Sequence, residues 1–218
     1  MSPIKATIKT EIFPILLIII SILTSFYFYA NFPEQVATHW NFEGQVDGYS
    51  SKAVGMFLIP LIMLGLYVMF LALPHIDPKK ERYGEFSKVY HIFKGLIIGF
   101  MLVIYLATGL VNLGYPIDIG IVVPTMIGIL FIIMGYYMGK IKPNWFMGIR
   151  TPWTLSSENV WRKTHRVGGW LFAGLGVVML LTPLLPGGAI IPVFFTAIII
   201  TVVGSFAYSY FLYRMEKK

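Results

Sequence analysis

Six apolar runs, residues 12–30, 53–73, 95–113, 119–138, 168–185 and 189–213, contain no Asp, Glu, Lys, Arg or His. Runs of this length are what a helix rising about 1.5 Å per residue needs to cross a hydrocarbon layer about 30 Å thick. Lipid offers backbone groups no hydrogen-bond partners, so spanning segments satisfy them internally, as helices or as a sealed barrel. The runs are continuously apolar rather than alternating, which removes the barrel. The predicted fold is therefore all-α, a polytopic membrane protein with six transmembrane helices. Only 12% of the residues are charged, against roughly 25% in soluble domains. The first run is 19 residues long, beyond the roughly 7–15 of a signal-peptide core. No small-x-small cleavage site follows it, so it reads as a retained helix.

Charge supplies the orientation. Of the 17 Lys and Arg, two precede the first run, five lie in 75–94, six in 140–167 and three follow residue 213. Lys52 is the sole basic residue of the other connections. Basic loops stay on the cytoplasmic side, which predicts both termini in the cytoplasm and residues 31–52 outside. The net charge of +7 resides in short loops between spans, so direct nucleic-acid binding is not expected. The chain has no cysteine, hence no disulfide, thiolate metal site or cysteine nucleophile.

The connections 114–118 and 186–188 are long enough only for tight turns, which predicts antiparallel helix pairs. Gly95 with Gly99, and Gly135 with Gly139, are small-xxx-small pairs expected to pack within the bundle. Pro14, Pro124 and Pro192 fall near predicted helix starts, whereas Pro60 and Pro183 fall inside runs and are expected to kink them. No internal repeat of the kind found in many secondary transporters is present.

In the outer loop His39, Glu43 and Asp47 recur every four residues, the spacing that on a helix would align metal ligands. Gly44, Gly48 and the turn signal Asp47-Gly48 oppose a helix. An ordered turn seating Trp40, Phe42 and Tyr49 at the interface is expected, with no metal. Residues 77–91 mix Lys79, Lys80, Arg82 and Lys88 with Glu81 and Glu85, the pattern of a solvated helix beside anionic lipid. In the polar stretch 148–169, Thr154 or Ser156 is placed to cap a helix with Glu158 in its first turn. Val160, Trp161, Thr164, Val167, Gly168 and Leu171 then share one helical face, and Asn159, Arg162, Lys163 and Arg166 the other. Such a helix either anchors the bundle at the headgroups or presents a recognition surface.

The run Gly148-Ile149-Arg150-Thr151-Pro152-Trp153-Thr154-Leu155, with Glu158, Val160-Trp161, Thr164, Arg166 and Gly168, resembles the signature of the SdpI family of bacterial toxin-immunity membrane proteins. Pro33, His39-Trp40-Asn41, Gly44, Asp47-Gly48-Tyr49 and Ser51-Lys52 resemble the domain of unknown function that precedes it in many members. The resemblance implies two units: residues 1–74, a two-helix unit with outer loop 31–52, and residues 75–218, a four-helix unit with cytoplasmic loop 139–167. It implies a non-enzymatic immunity protein of the bacterial cell membrane, protecting against a secreted Sdp-type antimicrobial peptide. It also implies a toxin receptor that holds a cytoplasmic autorepressor at the membrane. The implied partners are the peptide toxin outside, the repressor inside and the lipid bilayer, with no cofactor. By the same resemblance Arg150, Thr151, Pro152, Trp153, Glu158, Trp161 and Arg166 form an inner recognition surface or the lock that supports it. His39, Trp40, Asn41, Asp47 and Lys52 are their outer counterparts.

Two other functions compete. A transporter would draw on polar residues such as Thr24, Ser25, Thr108, Asn112, Thr125, Thr182, Thr201 and Ser205, but the runs lack the ionisable groups that mark ion pathways. A membrane-embedded enzyme finds no HExxH or GxSxG motif. His165 and Glu158, seven apart on the inner segment, are spaced as an acid–base pair could be, but read as surface contacts they need no such role.

Overall fold

The computed structural model describes residues 4–217. Met1, Ser2 and Pro3 of the predicted N-terminal lead, and Lys218 of the basic tail, lie outside the described residues. Among the described residues six helices are long and apolar enough to cross a membrane. Thr7 sets the start of α1 (Ile8–Asn31), because its hydroxyl accepts from the Thr10 amide while the Thr10 hydroxyl accepts from the Thr7 amide. This capping box satisfies two amides at an end that lipid would leave bare. The helix therefore begins four residues ahead of the apolar run, and Pro14 lies inside it rather than at its start.

A β-hairpin follows, formed by β1 (Gln35–Trp40) and β2 (Val46–Ser51). Asn41 makes its turn: the side-chain oxygen accepts from the amides of Glu43 (3.0 Å) and Gln45 (2.9 Å). Gly44 supplies the positive φ of +78° that the turn requires. Asp47-Gly48, expected to turn, instead lies within β2. The helical face that would align His39, Glu43 and Asp47 does not form. This small sheet is the one departure from an all-α fold among the described residues.

The chain continues as α2 (Lys52–Ile76), a 3₁₀ helix (Lys80–Phe86), α3 (Ser87–Asn112) and α4 (Ile119–Met138). Next come the short α5 (Pro152–Ser156), α6 (Glu158–Leu181), a 3₁₀ turn (Thr182–Leu184) and α7 (Gly187–Glu216). Pro183 kinks no helix, since α6 has ended two residues before it. Pro124 and Pro192 sit within α4 and α7, and Pro60 within an uninterrupted α2. The segment 77–91 is not a solvated helix: Tyr83, Phe86, Val89 and Tyr90 are buried.

The described chain forms two compact units. One comprises Ala6–Leu71 and Lys94–Met126, with a core that includes Phe28, Val36, Met56, Met63, Ile98 and Tyr105. Asn112 clamps the hairpin in that unit, accepting from the Ala37 amide (2.8 Å) and donating to the Ala37 carbonyl (2.9 Å). Gly95 and Gly99 make room for Phe13 and Leu17, so this small-residue pair packs within the chain. One turn from that contact the Lys94 ammonium lies 2.7 and 2.6 Å from the two carboxylate oxygens of Glu11. The Tyr67 hydroxyl donates to the same carboxylate at 3.0 Å, and Lys94 is only 1% exposed. An ion pair is thus buried between two spanning helices, which corrects the expectation of spans without ionisable groups. The apolar runs had excluded Glu11 and Lys94 by one residue each.

The second unit contains Ala72–Phe93 and the chain from Ile127 onward. Here α4 and α6 touch at glycines seven residues apart on each helix. A Cβ at Gly128 would lie 2.7 Å from the Gly176 carbonyl oxygen, and one at Gly169 would lie 2.6 Å from that of Gly135. Burying apolar surface gains little in lipid, so close backbone contact of this kind is a principal source of helix association there.

Candidate functional site

The segment between α4 and α6 has little regular structure of its own, and buried polar side chains fix its path. Asp77, 2% exposed, accepts from the Tyr83 hydroxyl (2.8 Å) and from the backbone amides of Lys79 (2.7 Å) and Trp145 (2.9 Å). Asn144, fully buried, accepts from the amides of Phe146 (2.9 Å) and Met147 (2.6 Å). It donates to the carbonyls of Lys142 (2.9 Å) and Met147 (3.2 Å), which saturates its amide. These bonds turn the chain toward Gly148, whose φ is +96°. A Cβ on Gly148 would overlap Nε2 of His165, so glycine is required there for both backbone angle and space.

His165 of α6 is fully buried and closes the lock. Its Nε2 accepts the Ile149 amide at 3.0 Å, and its Nδ1 lies 2.9 Å from the Trp161 carbonyl. An amide donates and a carbonyl accepts, so the proton resides on Nδ1 and the ring is neutral. The ring stacks on Trp161 at 4.0 Å, and the Trp161 indole donates to the Ile141 carbonyl at 2.8 Å. One helical face thus holds the segment at Ile141 and at Ile149.

Thr151 then caps α5 through a second capping box with Thr154. The Thr151 hydroxyl lies 3.0 Å from that of Ser209 on α7, and Trp153 sets its ring against Phe206 and Tyr210. Ser157 caps α6, where Thr154 or Ser156 was expected. The hydroxyl of Ser157 and the amide of Asn159 donate to Glu216 at the end of α7 (2.5 and 3.0 Å). Arg82 pairs with Glu85 at 3.1 Å and with Glu158. In the hairpin, His39 Nδ1 lies 2.5 Å from Asp47 Oδ1 across the strands.

A family model described as "SdpI/YfhL protein family" matches residues 140–209, from the start of the locked segment to the Ser209 contact. Another, "Domain of unknown function (DUF1648)", matches residues 16–64 around the hairpin. The chain is 28% identical over 206 residues to "Immunity protein SdpI" of Bacillus subtilis (strain 168), covering 94% of this chain and 97% of that protein. Residues 140–209 thus carry the SdpI/YfhL family pattern, and nearly the whole chain is similar to an SdpI immunity protein. With its six apolar helices this chain is a multi-pass cell-membrane protein. No solved structure matches it.

The inner set of predicted residues divides in two. Thr151 and Trp161 are buried members of the lock, and Trp153 is half-buried against α7. Arg150, Pro152, Glu158 and Arg166 are exposed, with Arg150 donating to the Trp145 carbonyl at 2.7 Å. Glu158 and His165 form no acid–base pair, because Glu158 is held by Arg82 while both nitrogens of His165 are bound to backbone. In the outer set only His39 and Asp47 come together side chain to side chain. Asn41 holds the turn with Trp40 beside it, and Lys52 lies at the hairpin base, its amide donating to the Glu34 carbonyl (2.9 Å). Among the described residues no three His, Cys, Asp or Glu converge on a metal site.

Sequence reasoning missed Asp77, Asn144 and Glu216, and placed His165 at the surface. Asn144 offered a local signal, since asparagine readily bonds the backbone two or three residues on. His165 offered another, sitting four residues after Trp161 on the face already read as apolar.

Proposed function

We propose that this protein is an immunity protein that protects a bacterium from a secreted, membrane-active antimicrobial peptide of the Sdp type. The observation that carries the reading is the similarity to immunity protein SdpI along 94% of this chain and 97% of that protein. At the locked segment Glu158 is held by Arg82 and both nitrogens of His165 are bound to backbone, which supports a binding or shielding role for these residues. The decisive experiment is expression of the wild-type chain in a toxin-sensitive Gram-positive strain. Survival under an Sdp-type peptide is expected, and death of cells that carry well-inserted protein would overturn the reading.

On this proposal both termini and the locked segment face the cytoplasm and the hairpin faces outward, in line with the distribution of Lys and Arg. Residues 1–74 then meet the toxin through His39, Trp40, Asn41, Asp47 and Lys52, and residues 75–218 present the lock inside. The exposed rim formed by Arg150, Pro152, Glu158 and Arg166 holds a cytoplasmic repressor when toxin is bound, a receptor role added to protection. The absence of cysteine allows one experiment to test both points. In intact cells an impermeant maleimide should label Tyr49→Cys, whereas Lys163→Cys should require permeabilisation, and the reverse pattern would refute the orientation. Toxin should change the labelling rate of Lys163→Cys. An unchanged rate would remove the receptor role and leave protection standing.

A further inference from the structure

Where α4 ends, Gly139, Lys140 and Lys142 line a half-open cavity of about 580 Å³ together with Arg82 and the first turn of α6. That volume falls within the range of about 300–1,000 Å³ typical of small-molecule sites. Two carboxylates border it and both are already answered. Glu158 is bound by Arg82, and Glu85 by Arg82 (3.1 Å) and Lys142 (3.8 Å). Lys140 and Arg162 have no carboxylate partner among the described residues. The Lys140 ammonium lies 4.7 and 4.8 Å from the ring centroids of Tyr136 and Tyr137. Arg162 donates to Asn159 Oδ1 at 3.0 Å, and the Asn159 amide is itself anchored on Glu216. The cavity therefore carries two uncompensated cations, each held in place by a neighbour that leaves its charge available.

We propose that this cavity binds the phosphate of an anionic phospholipid headgroup, with Lys140 and Arg162 as the anion-binding pair. Depth favours a lipid over a free phosphate. Lys140 follows the spanning helix α4 by two residues, and Tyr136 beneath it is 69% exposed, a ring of the type that settles in the headgroup layer. Lipid phosphates occupy that layer at high local density, whereas inorganic phosphate must arrive from dilute solution. The guanidinium offers a planar fork matched to two phosphate oxygens, and the ammonium adds a point charge. Basic pockets between membrane helices recognise anionic headgroups in this way. The site is independent of the immunity reading, since it rests only on the end of a membrane helix and its cations.

The test uses the full chain in phosphatidylcholine nanodiscs doped with phosphatidylglycerol, analysed by native mass spectrometry. Wild type should retain one phosphatidylglycerol about tenfold in preference to phosphatidylcholine, the factor expected from one charge-assisted hydrogen bond. The Lys140→Gln/Arg162→Gln variant should lose that preference. Lys80→Gln/Lys88→Gln, which removes the same charge from exposed positions of the same unit, should keep it. Equal behaviour of the two double variants would overturn the site in favour of general charge attraction. Displacement of the retained lipid by inorganic phosphate would overturn the lipid assignment in favour of a free anion.

Discussion

Replacement of Lys94 by methionine should destabilise the protein by about 3–5 kcal/mol, the cost of stranding a buried charge. The stranded group is the Glu11 carboxylate, which both Lys94 and the Tyr67 hydroxyl now contact. Thermal unfolding in detergent, followed by loss of tryptophan fluorescence, reads the effect. The double variant Glu11→Gln/Lys94→Met should regain most of it, because a neutral pair of similar size removes the desolvation penalty together with the attraction. A double variant no more stable than the single one would show that the pair is not the source of the loss. The pair also bears on transport. Intramembrane charges often mark ion pathways, but these two neutralise each other in place with the lysine sealed from solvent, which suits a fastener between helices better than a relay.

The second large effect is expected at the lock. His165→Ala leaves the Ile149 amide without its acceptor and opens a cavity beside Trp161. A loss of about 3–5 kcal/mol is expected, by comparison with truncation of buried aromatic residues and with unmet buried donors. Gly148→Ala should destabilise by at least about 1–2 kcal/mol from the positive φ alone, with steric overlap against the His165 ring added. In the double variant the new methyl enters space vacated by the imidazole, so the two losses should sum to more than the measured whole. Limited proteolysis between α4 and α6, combined with thermal midpoints, gives each corner of the cycle. Strict additivity would mean that residues 148 and 165 do not meet as described.

The apolar runs were legible because lipid leaves the chain few options, and α4 spans the residues predicted for it, 119–138. Helix ends were less legible because polar contacts set them. Thr7 and Thr10 carry α1 past Glu11, and the buried aromatic side of the 77–91 segment carries α3 back past Lys94. Both charges therefore entered the bundle unannounced. The hairpin held two competing turn signals, Asn41 with Gly44 and Asp47 with Gly48, and side-chain bonding by Asn41 decided between them. The inner motif marked the right stretch without giving its construction. Asp77 lies 68 residues from the Trp145 amide that it holds, and Ser209 lies 58 from Thr151, separations that no local pattern encodes.

We propose that protection itself, beyond the repressor-holding role of the exposed rim, requires the locked segment between α4 and α6. Survival under an Sdp-type peptide tests it most directly, comparing cells that carry wild type, Arg150→Ala or Trp153→Ala at equal levels of inserted protein. Arg150→Ala releases the Trp145 carbonyl, and Trp153→Ala frees α5 from Phe206 and Tyr210. The account predicts that wild type survives and that both variants die with the unprotected control. Variants that survive as well as wild type would contradict it and place the determinant of protection outside the lock.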